Sequence, residues 1–380
     1  MSSEKFQKKI YLPGLHGLRA IAAVLVIITH VELFKAKWGL PNLYKYKLIQ
    51  EFGTIGVDFF FVLSGFLITY LLFKEKEKYN KVSIKNFYIR RVLRIWPLYY
   101  IVLILVFFIL PFIGYPEVPG LNIHDDFYER LTLFTFFLPN VSKAFYDFVP
   151  YGGIMWSVGV EEQFYLIWPL ILAFSNKYFK NIVSVFVFLI LIKALTILPV
   201  FDNFDHTIGI RKFLAMLRLE IMAIGGIGAW LLYFKKKSVH AYLLNDFIQI
   251  ISYTSIFVII YFLPSSLNEA KHIFLGFLFI IIILNVSSNN RSFIKLENKY
   301  FRFLGNISYG MYMYHMIIAN GFIYLGITLG FDSFSFNISV YTFTLFFTIL
   351  VSHYSYVVLE KRFLKLKSKF SVIHSGLKVK

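Results

Sequence analysis

The chain contains no cysteine, few charged residues for its length and no internal repeat, and each absence narrows what it can be. Without cysteine there is no disulfide, no thiolate zinc site and no acyl-cysteine intermediate. Only 16% of the 380 residues are charged and 58% are hydrophobic, which is more apolar surface than one soluble core can bury. Neither a linker nor a repeat divides the sequence, so we expect residues 1–380 to form one membrane-embedded domain.

Apolar runs of about 20 residues recur along the sequence, and a helix of that length crosses the ~30 Å hydrocarbon layer of a bilayer. Helices are expected because the bilayer core offers no partners for unpaired backbone groups. The predicted fold is an all-α integral membrane bundle of about ten transmembrane helices. The predicted spans cover residues 15–33, 53–73, 88–111, 153–174, 182–200, 213–234, 245–263, 271–287, 304–328 and 337–359.

Two further segments, one at the N-terminus and one in the longest loop, need a separate interpretation. The polar residues 1–9 lead into an apolar run that is longer than a signal-peptide core and lacks a small-residue cleavage site. We therefore interpret this run as an uncleaved first span. The apolar segment 131–138 is too short to cross a bilayer, and we predict that it is re-entrant or interfacial.

The net charge of +18 is concentrated in alternate loops between the apolar runs. This asymmetry obeys the positive-inside rule and predicts that both termini are cytoplasmic, N-in and C-in. It also argues against nucleic acid as a partner, because the charge is explained by the bilayer. The basic segments are 74–85, 177–180, 235–237, 291–302 and the tail 361–380.

Charged side chains inside the predicted spans are the strongest functional signal. An Arg, Lys or Asp at the bilayer centre costs about 2.5–3.5 kcal/mol on insertion scales, so each one is a functional candidate. The candidates are Arg19, His30, Asp58, Arg90, Arg91, Arg94, Glu161, Glu162, Arg218, Glu220 and His315.

Helical geometry predicts which of these residues lie at the same depth. Arg19 and His30 are eleven residues apart, so they share one face and are separated by ~16 Å along the axis. With the N-terminus inside, His30, Asp58 and Glu161 all fall in the outer half of the membrane. A histidine beside carboxylates in a dry interior is a candidate general base, because the anion orients the ring. Ser157, Glu161 and Tyr165 have i, i+4, i+8 spacing and line one helix face.

Three arginines, Arg90, Arg91 and Arg94, lie where the third span leaves the cytoplasm. Their planar guanidinium groups suit phosphate, so we expect them to hold a phosphorylated donor. Arg90 and Arg91 would serve equally well as interfacial anchors. His30 or His315 would also fit as an interhelical hydrogen-bonding, packing or pore-lining residue.

Two other charged groups have a simple structural interpretation. Arg218 and Glu220 are two residues apart and face different sides of a helix, which favours separate pairs with other helices. The basic residues of 361–369 are most simply an anchor on anionic lipid headgroups.

Five segments carry motifs in a fixed order along the chain. They are LHGLRA at 15–20 followed by Thr29-His30, GVDFFFVLSGF at 56–66, FYIRRVLRIWP at 87–97, WSVGVEEQFY at 156–165, and ISYGMY at 307–312 followed by His315. Together they resemble the acyltransferase-3 family of membrane O-acyltransferases. The resemblance spans nearly the whole chain.

The resemblance implies a ten-helix protein of the bacterial cytoplasmic membrane that moves an acyl group, usually acetyl, from cytoplasmic acyl-CoA to a hydroxyl of an extracytoplasmic or lipid-linked glycan. Acetyl-CoA would be the donor substrate, with no metal. The Arg-x10-His motif of that family falls on Arg19 and His30, Arg-x-x-Arg on Arg91 and Arg94, and Ser-x3-Glu-x3-Tyr on Ser157, Glu161 and Tyr165. The chain departs from the family at His16, where Asp is common, and at Gly159, where Ser is common.

We accordingly expect three groups of site residues. The catalytic candidates are His30, Glu161 and Asp58; the acyl-CoA-binding candidates are Arg19, Arg90, Arg91 and Arg94; the acceptor-binding candidates are Ser157, Tyr165, Glu162 and His315. Many relatives carry a fused SGNH esterase-like domain, whereas this chain ends about 20 residues past its last predicted span. We expect a stand-alone member, in which the acceptor attacks directly or a separate extracytoplasmic protein completes the transfer.

Two other function classes remain possible from the sequence. A polytopic transporter of an anion or a sugar lipid would use the same buried charges as a relay, but the inverted repeats typical of transporters are not visible. A non-catalytic scaffold would have little need for so many charges inside its spans. The identity of the acceptor, the acyl-chain length and the oligomeric state stay open.

Overall fold

In a computed structural model the chain is all-helical, and the structure describes residues 11–146, 148–203, 206–264 and 267–371. Helices account for 79% of the structure, and no strand occurs within these ranges. The polar stretch 1–9 and the part of the basic tail beyond 371 lie outside the described residues. The α-helices are α1 (Leu15–Lys37), α2 (Lys47–Tyr79), α3 (Ile84–Ile104), α4 (Leu110–Phe112), α5 (Phe127–Thr135), α6 (Pro139–Phe145), α7 (Met155–Ala173), α8 (Tyr178–Leu195), α9 (Thr207–Met216), α10 (Leu219–Phe234), α11 (Lys236–Tyr242), α12 (Asp246–Phe262), α13 (Asn268–Ser288), α14 (Lys299–Thr328), α15 (Ser333–Ser355) and α16 (Lys361–Lys369).

Seven helical segments among the described residues are long and apolar enough to cross a membrane, or eight if the bent pair α11 and α12 is one span. Each of the ten predicted spans falls on a helix, but α7 and α14 are too polar to be among these seven. Their polar residues are the reason, because α7 carries Glu161 and Glu162 and α14 carries His315 and Asn320. The all-helical prediction is confirmed, whereas the count of ten spans and the orientation stay predictions.

The helix boundaries differ from the predicted spans in a systematic way. α2 covers Lys47–Tyr79 rather than 53–73, because polar residues extend the helix at both ends beyond its apolar part. The predicted span 213–234 is broken between α9 and α10, at Leu217 and Arg218. A hydropathy pattern detects the lipid-crossing part of a helix, so it misses polar extensions and short breaks.

The outer surface of the bundle is apolar, as expected for a protein in lipid. Phe174 and Phe262, for example, are each 81% exposed. Helix α8 buries only Ile182 and therefore lies at the periphery. Exposed apolar surface of this extent is incompatible with water and is normal against a bilayer.

Close helix contacts at glycine hold the centre of the bundle together. A Cβ at Gly65 of α2 would lie 1.9 Å from the backbone oxygen of Met222 in α10, and one at Gly225 would lie 2.2 Å from that of Val62. Small residues let two helix backbones approach closely, which favours packing in lipid. A Cβ at Gly305 of α14 would similarly meet the backbone oxygen of His16 in α1, at 2.3 Å.

The bundle has two ends that are distinguished by the direction of α1. We call the end near Arg19 the lower end; Arg90 of α3 meets Glu75 of α2 there. We call the opposite end, where α1 finishes, the upper end; Trp38 there donates from its indole N–H to Asn320 of α14. The candidate site residues lie between these two ends.

The short apolar segment 131–138 does not form a span. It is shared between the end of α5 and the turn before α6; Phe134 and Phe137 are buried in the protein, whereas Phe136 is 70% exposed. Tyr99 of α3 donates its hydroxyl to the backbone oxygen of Phe134 at 2.7 Å, and Gln163 of α7 donates to that of Phe137 at 3.2 Å. Gly159 allows this contact, because a Cβ there would lie 2.8 Å from the ring of Pro139.

Candidate active site

A polar cavity of about 110 Å³ lies in the lower half of the bundle, between α1, α2, α3, α7 and α14. We call it the arginine cavity. Residues from all five sequence motifs, on five helices, meet in its wall, which supports reading those motifs as parts of one site. The predicted site residues in the wall are Arg19, Arg91, Arg94, Ser157, Glu161 and Tyr165.

The arginines of this cavity have few anionic partners. Nη1 of Arg94 is 3.6 Å from a carboxylate oxygen of Glu360. Arg19 and Arg91 make no hydrogen bond or ion pair with any residue that the structure describes, and the guanidinium of Arg91 lies 5.6 Å from the ring centre of Tyr165. The wall holds three guanidinium groups and one carboxylate, that of Glu161, and an excess of positive charge inside a membrane protein favours an anionic ligand.

The two adjacent glutamates of α7 face different surroundings. Glu161 is in the cavity wall and accepts a hydrogen bond from Ser64 Oγ at 2.6 Å. Glu162 is not part of that wall and accepts from the indole N–H of Trp96 at 3.0 Å. Successive side chains of a helix are rotated by ~100°, so only Glu161 reaches the cavity.

His30 and His315 form a hydrogen-bonded pair above the arginine cavity. His30 Nδ1 lies 2.9 Å from the backbone oxygen of Val26 and 3.1 Å from His315 Nε2, and His315 Nδ1 lies 2.7 Å from the backbone oxygen of Tyr312. A carbonyl oxygen only accepts, so both Nδ1 atoms carry the hydrogen in the neutral rings. The unprotonated Nε2 of His315 then accepts from His30, and the free lone pair of His30 is on Nε2. This arrangement leaves His30 with the nitrogen that a general base needs.

The sequence predicts a carboxylate beside His30, and the structure contradicts this expectation. Within the described ranges neither Asp58 nor Glu161 forms a hydrogen bond with His30, and His315 occupies that role. His30 is also absent from the wall of the arginine cavity, so the two do not share one chamber. Sequence spacing gives the depth of a residue along its helix, but not the direction in which neighbouring helices turn their faces.

Asp58 belongs to a different cluster. It is fully buried, and its two carboxylate oxygens accept from Arg218 Nη1 at 2.7 Å and from His272 Nδ1 at 2.6 Å. Glu220 pairs instead with Lys193 at 2.6 Å. The expectation that Arg218 and Glu220 make separate pairs with other helices is therefore met, and Arg218 explains why Asp58 is not available to His30.

Tyr312 connects the arginine cavity to the histidine pair. Its hydroxyl lies 2.6 Å from Ser157 Oγ and 3.0 Å from the backbone oxygen of Ile154, and its own backbone oxygen accepts from His315. The motif ISYGMY at 307–312 contains Tyr312, which was not among the predicted site residues. Its position three residues before His315, on the same helix face, was the available signal.

Arg90 connects segments within the protein and does not anchor it at the membrane–water interface. Its guanidinium is buried, pairs with Glu75 at 2.9 Å and donates to the backbone oxygen of Phe370 at 3.0 Å. Arg90 thus joins α3 to α2 and to the segment after α16. The interfacial-anchor interpretation does not hold for this side chain.

A groove of about 390 Å³ opens at the upper end, beyond the histidine pair. Trp38, which follows the last residue of α1, lies eight residues after His30, and α14 contributes Tyr324, nine residues after His315. The loop from Gly114 to Leu121 forms another wall and is tied to α14, since Asn320 donates to the backbone oxygen of Pro116 at 2.7 Å. The groove therefore presents aromatic faces one to three helical turns above the histidines.

These features define a multi-pass helical membrane protein with a cation-lined cavity beneath a hydrogen-bonded histidine pair. The chain belongs to the family described as Acyltransferase domain, whose model matches residues 12–357. Family membership favours the acyltransferase expectation over a transporter. No solved structure matches the chain.

Curated relatives carry O-acetyltransferase names. The chain is 37% identical to the peptidoglycan O-acetyltransferase OatA of Listeria monocytogenes over 45% of the chain and 26% of that protein. It is 28% identical to the O-acetyltransferase OatA of Staphylococcus aureus strain NCTC 8325 over 94% of the chain and 58% of that protein. A putative O-acetyltransferase of S. aureus strain COL is also 28% identical, over 95% of the chain and 58% of its own length. The chain therefore spans less than two thirds of these relatives.

Proposed function

We propose that this chain transfers an acyl group, first of all acetyl, from cytoplasmic acyl-CoA to a hydroxyl of an extracytoplasmic or lipid-linked glycan. In this proposal it acts in the bacterial cytoplasmic membrane as a ten-span protein with both termini in the cytoplasm. One observation carries the proposal: unpaired arginines line a cavity at one end of the bundle, and a histidine with a free ring nitrogen lies above it.

On the donor side, Arg19, Arg91 and Arg94 bind the phosphates of acyl-CoA. Arg94 has an ion pair with Glu360, whereas Arg19 and Arg91 form none with the described residues, so an incoming phosphate would supply an anionic partner. The donor enters from the lower end, and its acyl end points toward Ser157 and Tyr312.

On the acceptor side, the glycan approaches through the upper groove. Aromatic faces such as those of Trp38 and Tyr324 suit the apolar faces of sugar rings, and the groove volume of about 390 Å³ is typical of small-molecule sites. Peptidoglycan is the first acceptor to test, because it is named for the Listeria relative.

The chemistry is an acyl transfer with general base catalysis. His30 Nε2 removes the proton of the acceptor hydroxyl, and the oxygen forms an ester bond with the acyl carbon as the carbon–sulfur bond of the donor breaks. The departing thiolate takes the proton back from His30. His315 holds the hydrogen of His30 on Nδ1, which keeps Nε2 unprotonated and available.

The test is acetyl transfer from acetyl-CoA to a peptidoglycan fragment by the purified protein in lipid nanodiscs. We expect His30→Ala to lower the transfer rate by about 10²–10⁴ while acetyl-CoA still binds, because a general base contributes to the rate in that range. Arg91→Ala/Arg94→Ala should lose donor binding instead. Full transfer by His30→Ala at normal protein levels would overturn the assignment, and failure of the wild type to bind acetyl-CoA would overturn the function.

A further inference from the structure

A second cavity lies directly below the arginine cavity and shares one residue with it. Its volume is about 170 Å³, and it lies between α2, α3 and the C-terminal helix α16. Arg91 is in the wall of both cavities, so it marks the junction between them.

One face of α16 forms the floor of this second cavity. Leu364, Lys367 and Ser368 line it, at the i, i+3, i+4 spacing of a single helix face, together with Ser371 just beyond the end of α16. Lys365 is on the same helix but is exposed and absent from the wall. The expectation that the basic residues of 361–369 anchor the chain on lipid headgroups is wrong for Lys367, because this residue lines a cavity inside the protein.

The ammonium group of Lys367 makes no hydrogen bond or ion pair with the parts of the chain that the structure describes. It shares the cavity wall with Arg90, Arg91 and Glu75, and that glutamate pairs with Arg90. Arg90 has Glu75 as a partner, but Arg91 has none and its Nε is buried without a hydrogen bond.

Arg19, Arg91 and Lys367 thus line a pair of connected cavities without forming an ion pair among the described residues, while the two carboxylates of these walls, Glu75 and Glu161, are held by Arg90 and by Ser64. Like charges at close range repel one another and gain stability when an anion lies between them. The helix that supplies Lys367 is held in place, because Arg90 donates to the backbone oxygen of Phe370 just beyond α16. Lys367 is therefore held beside Arg91 by the fold.

We propose that Lys367 and Arg91 form a phosphate-binding subsite for the nucleotide end of the acyl donor, with α16 as its wall. Naming the donor rests on the proposed function above, whereas the phosphate site itself rests only on the cation cluster. Phosphate from an anionic lipid headgroup has the same chemistry, so the experiment must separate the two sources.

The experiment measures binding of adenosine 3′,5′-bisphosphate to the purified full chain in zwitterionic detergent by calorimetry. We expect Lys367→Gln to weaken binding about tenfold or more, because a charge-assisted hydrogen bond is lost. The matched control is Lys365→Gln, on the exposed face of the same helix, which should bind as the wild type does. Equal affinities for both variants and the wild type would overturn the proposal.

A second measurement does not depend on how a variant folds. In the wild type, an amine-reactive reagent followed by mass spectrometry should modify Lys365 with or without ligand, but Lys367 much less when the bisphosphate is present. If phosphatidylglycerol protects Lys367 and the bisphosphate does not, the site belongs to lipid and the proposal for the donor is wrong. If the bisphosphate protects Lys367 while acetyl-CoA does not bind, the phosphate subsite stands and the proposed function fails.

Discussion

The replacement of Asp58 by asparagine tests whether this buried carboxylate holds the bundle together or takes part in catalysis. Asn has nearly the same volume but no charge, so Arg218 and His272 would keep their positions and lose their shared anion. The N–O distance to Arg218 is 2.7 Å and Asp58 is fully buried. Removing one partner of a buried ion pair typically costs about 3–5 kcal/mol, because the other charge is left uncompensated. We expect a loss of unfolding free energy of that order for Asp58→Asn.

The chain offers a matched control in the pair formed by Asp202 and Arg211. The N–O distance there is also 2.7 Å, but the two side chains are 58% and 36% exposed. An exposed pair contributes only about 0–1 kcal/mol, so Asp202→Asn should be nearly neutral. The two ion pairs differ chiefly in burial, and burial determines how much stability is expected to be lost.

The assay is thermal and denaturant unfolding of both variants in the same detergent, followed by transfer activity per folded molecule. Stability losses of similar size in the two variants would refute the reasoning from burial. Folded Asp58→Asn should retain acetyl transfer, because Asp58 does not contact His30. A stable Asp58→Asn protein whose transfer rate falls by about 10² or more would instead restore the catalytic role expected from the sequence.

Two further predictions concern helix packing and the acceptor groove. Gly65→Ala should destabilise the protein by about 1–3 kcal/mol in the same unfolding assay, since its Cβ would lie 1.9 Å from the backbone of Met222. Gly276→Ala is the control and should lower the free energy of unfolding by less, because its Cβ would meet only a flexible side chain at 3.0 Å. Trp38→Ala should raise the KM for the glycan about tenfold and leave the affinity for acetyl-CoA unchanged, because stacking on one aromatic ring is lost. Trp230→Ala is the control, because Trp230 packs outside the groove. An unchanged KM for Trp38→Ala would show that the acceptor does not bind in the groove.

The helical membrane architecture was available from the sequence alone. Apolar runs of bilayer length predict helices, and each of the ten predicted spans falls on one. The spacing of Ser157, Glu161 and Tyr165 also predicts a shared face, and the structure has all three in the wall of one cavity. These features depend on local periodicity and length, which a sequence displays directly.

The partner of each buried charge was not available from the sequence. His30 pairs with His315, Asp58 pairs with Arg218 and His272, and Lys367 turns inward rather than toward lipid. These partners are on helices far apart in the chain, and the rotation of one helix against another depends on packing of whole faces. The sequence by itself therefore determined that helices form, where most of them run and which residues share a face. Tertiary packing alone decided which faces meet, because contact between distant segments depends on the shapes of all the helices together.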